Sequence, residues 1–235
     1  MKKKDKQGWN ITEDRFVAFL DIMGFKDMIA RTKHEDIYKM MIKLDDMSYD
    51  NSIIHDRSED REVLVRTTTY SDSIVMYSKN KNKKSMHAFF GALSGMYQDL
   101  LEEGIPFKGA VSFGKMTLDI ERTIFFGQPL IDAYLLEGEV NFYGIVIHGS
   151  AEELIMNNDE FSFALPYDCP LKRGKSQHLT VFPLFVGDKS KKDETKILLE
   201  SIHRMRFKTS GHIRKYIDET EKYILKMDEI LSEED

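Results

Sequence analysis

Two carboxylates stand where strands should end. In Phe16-Val17-Ala18-Phe19-Leu20-Asp21-Ile22-Met23-Gly24-Phe25 an almost uninterrupted apolar run is interrupted by one aspartate and then by a glycine. A run so apolar reads as a strand buried on both faces, and an ionised carboxylate at its end is costly to desolvate unless a cation or several donors meet it. Asp72 repeats the arrangement. Val63 to Tyr70 is β-branched and aromatic, Ser71-Asp72 reads as a turn, and Ser73 to Tyr77 returns as a second strand. Two hard carboxylate ligands on rigid strands suit Mg²⁺ or Mn²⁺ held partly by protein and partly by substrate phosphates. The main-chain carbonyl of Ile22 can complete the shell, and the peptide groups of Met23, Gly24 and Phe25 lie where a triphosphate can be cradled. The alternatives are that Asp21 caps the helix after it and that Asp72 is an ordinary hairpin residue. The spacing and flanks of the two together favour the metal.

Strand side chains alternate by twos, so counting back from Asp72 places Tyr70, Thr68 and Arg66 on one face. Thr68 and Tyr70 are good strand formers on a half-buried face. Further on, Lys108 opens an apolar strand, Phe107 to Phe113, where it either meets phosphate oxygens or faces solvent. Lys172 and Arg173 form a basic pair on a loop between strands, usually the mark of a solvated turn.

These stretches resemble a known family. Phe19-Leu20-Asp21-Ile22-Met23-Gly24-Phe25, the hairpin Thr69-Tyr70-Ser71-Asp72-Ser73, and Gly104 to Gly114 are similar to the catalytic core of class III nucleotidyl cyclases over about residues 16–146. Within that family, the Gly-Ala-Val-Ser-Phe-Gly segment and Tyr167 to Gly174 resemble the stand-alone pyrimidine cyclases of the bacterial Pycsar antiphage system, which make cyclic UMP or cyclic CMP. The resemblance implies an α+β fold of the ferredoxin-like palm type, with a mostly antiparallel sheet flanked by helices. It implies a nucleoside triphosphate substrate, with UTP favoured over CTP, and a head-to-tail homodimer with sites at the interface. Asp21 and Asp72 would hold two Mn²⁺ or Mg²⁺ ions. Arg66, Thr68, Tyr70, Lys108 and Lys172 would contact nucleotide.

The sequence departs from the family at two places. The position four before the second aspartate reads the base, with Lys for adenine and Glu for guanine; here it is Thr68, which implies another substrate. The helix after Gly127 should supply an Asn and an Arg across the dimer interface, but those positions are Ile131 and Leu135. Either Lys172 or Arg173 replaces the missing cation, or the chain is a nonenzymatic nucleotide sensor on a degenerate cyclase fold. Retention of both aspartates argues for the enzyme. A diguanylate cyclase ranks last because its Gly-Gly-Asp/Glu-Glu-Phe turn is missing.

The elements that position these residues follow from periodicity. Strands are expected at Arg15–Asp21, Val63–Tyr70, Ser73–Tyr77, Phe107–Phe113, Thr123–Phe126, Phe142–Ile147, Phe161–Leu165 and His178–Val186. A wide apolar stripe predicts a helix over Ser85–Glu103, and further helices follow Gly24, carry Ile37, Met40, Met41 and Leu44, and span Leu130–Glu137. Ser150 with Glu153 predicts a capping box, and two helices, about 194–205 and 210–231, close the chain. Residues 1–15 read as a flexible, polar lead-in, 51–60 as a loop, 187–193 as a charged turn, and 16–235 as one domain with a C-terminal helical extension. A formal charge of −6 gives no general polyanion-binding surface, so nucleic acid is not expected as partner. The single cysteine, Cys169, precludes an internal disulfide and fits a reducing cytoplasm, and no apolar run approaches membrane-spanning length.

Overall fold

The computed structural model describes residues 4–5, 8–52, 62–158, 163–183, 191–207 and 209–233. Its centre is β1 (Thr12–Ile22), and both faces of this strand are covered, as its apolar run demands. Phe16, Ala18, Leu20 and Ile22 enter the main core, while Val17 enters a smaller one with Trp9, Tyr77, Met116 and Leu118. β1 pairs antiparallel with β3 (Ser73–Ser78) on one side and β4 (Phe107–Asp119) on the other. β2 (Val65–Tyr70) forms one edge beyond β3. β6 (Ile145–Ile147) runs parallel to β4, and β8 (Gly174–Val181) and β7 (Ala164–Leu171) complete the order β2-β3-β1-β4-β6-β8-β7. β5 (Ile124–Gly127) folds back on the far half of β4. One parallel pairing among antiparallel ones, with helices around it, is the mixed α+β sheet that was expected.

Helix α3 (Lys83–Glu102) lays its stripe of Met86, Phe89, Phe90, Leu93, Met96, Tyr97, Leu100 and Leu101 onto the main core, with Phe16 ringed by Phe89 and Phe90. Asn82 caps its first turn, and Gly104, at φ +69°, ends it. α1 (Phe25–Arg31) and α2 (His34–Ser52) follow β1. α4 (Gln128–Glu137) lies on the opposite face, where Tyr134 meets Phe19 edge-on with ring centroids 5.3 Å apart. α6 (Lys191–Arg206) and α7 (His212–Glu233) pack on each other, and the Tyr223 ring of α7 contacts Phe142 and Tyr167.

Several local expectations change. Residues 1–15 are not all a loose lead-in: β1 begins at Thr12, and Trp9 is buried, donating from Nε1 to the Val63 carbonyl at 3.0 Å. A lone indole carries enough apolar area to hold a polar segment against a sheet. β4 continues past Phe113 to Asp119 because the extended β1 supplies it with a partner as far as Thr12. Phe142 and Tyr143 precede β6 rather than forming it; their rings pack on Tyr223 and Tyr216. α5 (Gly149–Met156) is capped by His148, whose Nδ1 accepts from the Ser150 N–H, in place of the expected capping box. Residues 53–60 of the expected loop, 187–190 of the expected turn, and Phe161 and Ser162 of the expected strand lie outside the described residues, whereas 51–52 end α2 and 191–193 begin α6.

Candidate active site

Asp21 is the penultimate residue of β1, in register with Ser73 of β3 and Lys108 of β4. Asp72 lies in the β2–β3 turn, which Ser71 tightens at φ +56°, and its carbonyl accepts the Ile22 N–H at 2.8 Å. That bond ties the turn to the end of β1 and holds the two carboxylates near one another. The consequence is electrostatic. The Asp21 carboxyl is pushed up to about 6 by burial first, then by Glu137 and Asp72, with Lys108 opposing them.

A half-desolvated carboxylate facing two others is relieved by a cation. Hard oxygen donors from Asp21, Asp72 and the Ile22 carbonyl fit Mg²⁺ or Mn²⁺. Among the described residues no three His, Cys, Asp or Glu side chains gather tightly enough to hold a metal alone. Two carboxylates and one carbonyl leave coordination positions of a six-coordinate ion to substrate and water. Met23 donates its N–H to the Pro106 carbonyl at 2.8 Å, so that donor is committed within the fold and the cradle expected over Met23–Phe25 narrows. Gly24 adopts φ +77° at the head of α1, a conformation glycine enters without strain, and the Phe25 side chain is buried beneath it.

Register confirms the face assigned to β2. Tyr70 pairs with Ser73, Thr68 with Val75 and Arg66 with Tyr77, and those β3 residues pair with Asp21, Phe19 and Val17. Tyr70, Thr68 and Arg66 thus share one side of the sheet with Asp21. Tyr70 is 83 % exposed. Thr68 bonds the Tyr77 hydroxyl, whose pKa burial pushes up to about 12. Thr68 and Tyr77 line a cleft of about 150 Å³ with Arg66, Leu118 and Phe125. Arg66 is also bound into the fold: its guanidinium pairs with Asp5 and lies 4.2 Å from the Trp9 ring centroid. Fully buried Arg15 takes the other place at that ring, 5.0 Å away.

Lys108 is neither solvent-facing nor directed to an open phosphate site. Its ammonium is buried and bonds Glu137 Oε1 at 3.0 Å. Glu137 was not anticipated, yet its signal was present: Pro129, Ala133 and Glu137 recur every four residues on the buried face of α4, where a charge requires a partner. Ile131 and Leu135 are more than half exposed on the outward face with Tyr134. Lys172 and Arg173 occupy the β7–β8 turn, which the Lys172 N–H ties to the Glu139 carbonyl. Arg173 and Leu135 line one recess of about 470 Å³. This basic turn belongs to the sheet edge opposite β2.

No protein-family model matches this sequence, and neither does any curated protein. Solved structures do. The guanylate cyclase domain of a rhodopsin-guanylyl cyclase from Catenaria anguillulae, in complex with GTP, superposes with a TM-score of 0.50 at 18 % identity, covering 73 % of this chain and 97 % of that one. The catalytic core of a rhodopsin-guanylyl cyclase with converted specificity, in complex with ATPαS, gives a TM-score of 0.50 at 18 % identity, covering 73 % and 96 %. The chain has the fold of a class III nucleotidyl cyclase catalytic domain.

Proposed function

We propose that this protein is a nucleotidyl cyclase that converts a pyrimidine nucleoside triphosphate, UTP in preference to CTP, to its 3′,5′-cyclic nucleotide and pyrophosphate. The observation that carries the reading is the pairing of Asp21 with Asp72 at the end of β1, where burial and mutual repulsion leave a carboxylate in need of a divalent cation. Mg²⁺ or Mn²⁺, two per site, would supply Lewis acidity toward the ribose 3′-hydroxyl and the phosphates. The chain's own residues then bind and orient. Asp21 and Asp72 hold the ions, the Gly24 and Phe25 peptides face the triphosphate, and Thr68 and Tyr70 read the base. The 3′-oxygen attacks the α-phosphorus in line, its proton leaves to solvent, and the bond to the β-phosphate oxygen breaks.

The resemblance to class III cyclases implies a homodimer. A two-fold axis brings the partner's basic turn and α4 to the Asp21 face, and the exposed stripe of Phe126, Ile131, Tyr134 and Leu135 supplies apolar surface for that contact. Lys172 or Arg173 then provides the cation that the Leu135 position lacks. Thr68 at the base-reading position, together with the Pycsar-like segments Gly109 to Gly114 and Tyr167 to Gly174, supports a pyrimidine second messenger made in antiphage defence. Incubation with Mn²⁺ and each of ATP, GTP, CTP and UTP, with products identified by mass, tests the specificity. Cyclic UMP as main product is expected; cyclic AMP or GMP as main product would refute the pyrimidine assignment.

The nonenzymatic sensor is the second reading, favoured by the apolar Ile131 and Leu135. It predicts nucleotide binding without product.

A further inference from the structure

The Lys108–Glu137 pair ties α4 to the sheet at the candidate metal ligands. Lys108 Nζ donates to Glu137 Oε1 and to the Glu137 main-chain carbonyl, each at 3.0 Å, and both residues are less than a tenth exposed. That carbonyl is among the last of α4, where a helix leaves acceptors unfilled and gathers partial negative charge. α4 has no basic residue in its own last turn, so β4 supplies the cation. At the other end of the helix, the Ser112 hydroxyl donates to the Pro129 carbonyl.

The two anchors are matched in length. Ser112 and Lys108 stand four residues apart on one face of β4, about 13 Å of strand. Pro129 and Glu137 stand eight residues apart in α4, about 12 Å of helix. A rod fastened at both ends to one strand can neither slide nor roll, which fixes the direction in which Ile131, Tyr134 and Leu135 project. Lys108 also pairs across the ladder with Asp21, so the C-terminal anchor of α4 and the metal ligand are adjacent on one rigid frame.

We propose that Lys108 and Glu137 are positioning residues of the cyclisation site: their buried pair locks the C-terminal end of α4 to β4 beside Asp21 and sets the distance between the helix face and the metal ligands. The proposal rests on the two-aspartate reading above. Lys108 acts through α4 and not on phosphate, and displacement of a positioning element by 1 Å costs about a hundredfold in rate.

The test compares wild type with Lys108→Met, Glu137→Gln and the double variant Lys108→Met/Glu137→Gln, which leaves no unpaired buried charge and so separates misfolding from misplacement. Two quantities are read: kcat and KM for cyclic product with Mn²⁺, and hydrogen exchange at Gly138 and Val140, whose N–H groups bond Tyr134 and Glu137. Each single variant should lower kcat at least about tenfold with KM within about twofold. Exchange at both amides should accelerate, and the double variant should be no worse than the single ones. A Lys108→Met protein with a KM raised more than about tenfold and unchanged exchange would make Lys108 a phosphate ligand and overturn the proposal. If wild type yields no product from any nucleotide, the cyclase reading fails on its own. The exchange measurement then decides the anchor, faster exchange supporting it and unchanged exchange overturning it.

Discussion

Replacing Asp21 by Asn should make the metal-free protein more stable while abolishing turnover. The Asp21 carboxyl titrates at about 6 in the folded chain against an ordinary value of 3.8. A difference of about two pKa units corresponds to about 3 kcal/mol, and partial exposure reduces this to about 1–2 kcal/mol. The sign is fixed by proton linkage: the folded state binds the Asp21 proton more tightly than the unfolded state, so this residue's contribution to stability falls as pH rises from about 4 to about 6 and stays low above that. At pH 7.5, in the presence of a chelator, Asp21→Asn should raise the melting temperature by about 2–6 °C for a chain of this size. The advantage should shrink as pH falls below about 6 and vanish below about 4. Saturating Mn²⁺ should reverse the order, because the ion stabilises only the protein that binds it. Trp9, the one tryptophan, is buried and reports unfolding by its fluorescence. A variant that melts at or below the wild-type temperature at pH 7.5 without metal, or that gains as much as wild type from Mn²⁺, would refute the reasoning.

Other outcomes follow from the same geometry. Asp72→Asn should abolish product while leaving the melting temperature in chelator within a few degrees of wild type, read by product mass and Trp9 fluorescence. Trp9→Ala should cost about 3–5 kcal/mol in urea unfolding, since it removes a buried indole. Gly109→Ala should cost about 1–3 kcal/mol, because a Cβ there would meet the Phe19 carbonyl at 2.9 Å and crowd Leu20 next to Asp21. Mixing Asp72→Asn with the double variant Lys172→Ala/Arg173→Ala, each inactive alone, should restore about a quarter of wild-type activity, since half of randomly paired dimers hold one complete site of two. No recovery in a verified mixed dimer would place the basic turn outside the shared site.

What was legible in the sequence was whatever a local pattern encodes. The apolar run into Asp21, the stripe of α3 and the Ser71-Asp72 turn each fix an element by periodicity or turn chemistry, and the alternation of Arg66, Thr68 and Tyr70 fixes a common face that the register bears out. What escaped depends on residues far apart in the chain. That Lys108 bonds Glu137, that Arg66 is held by Asp5 and Trp9, and that the Met23 N–H is committed to Pro106 are pairings no spacing encodes. The clue to Glu137, a charge on a buried helix face, was local; its partner was not. The reach of β1 back to Thr12 was likewise hidden, because Thr12-Glu13-Asp14 is polar and only its pairing with β4 makes it strand.

The most direct measurement is a side-by-side time course of wild type and Asp72→Asn with UTP and Mn²⁺, quantifying cyclic UMP and pyrophosphate by mass. The two products should appear in equal amounts from wild type and neither from the variant. Equal turnover by both proteins would contradict the metal assignment, and uncyclised UMP as the nucleotide product would contradict cyclisation itself.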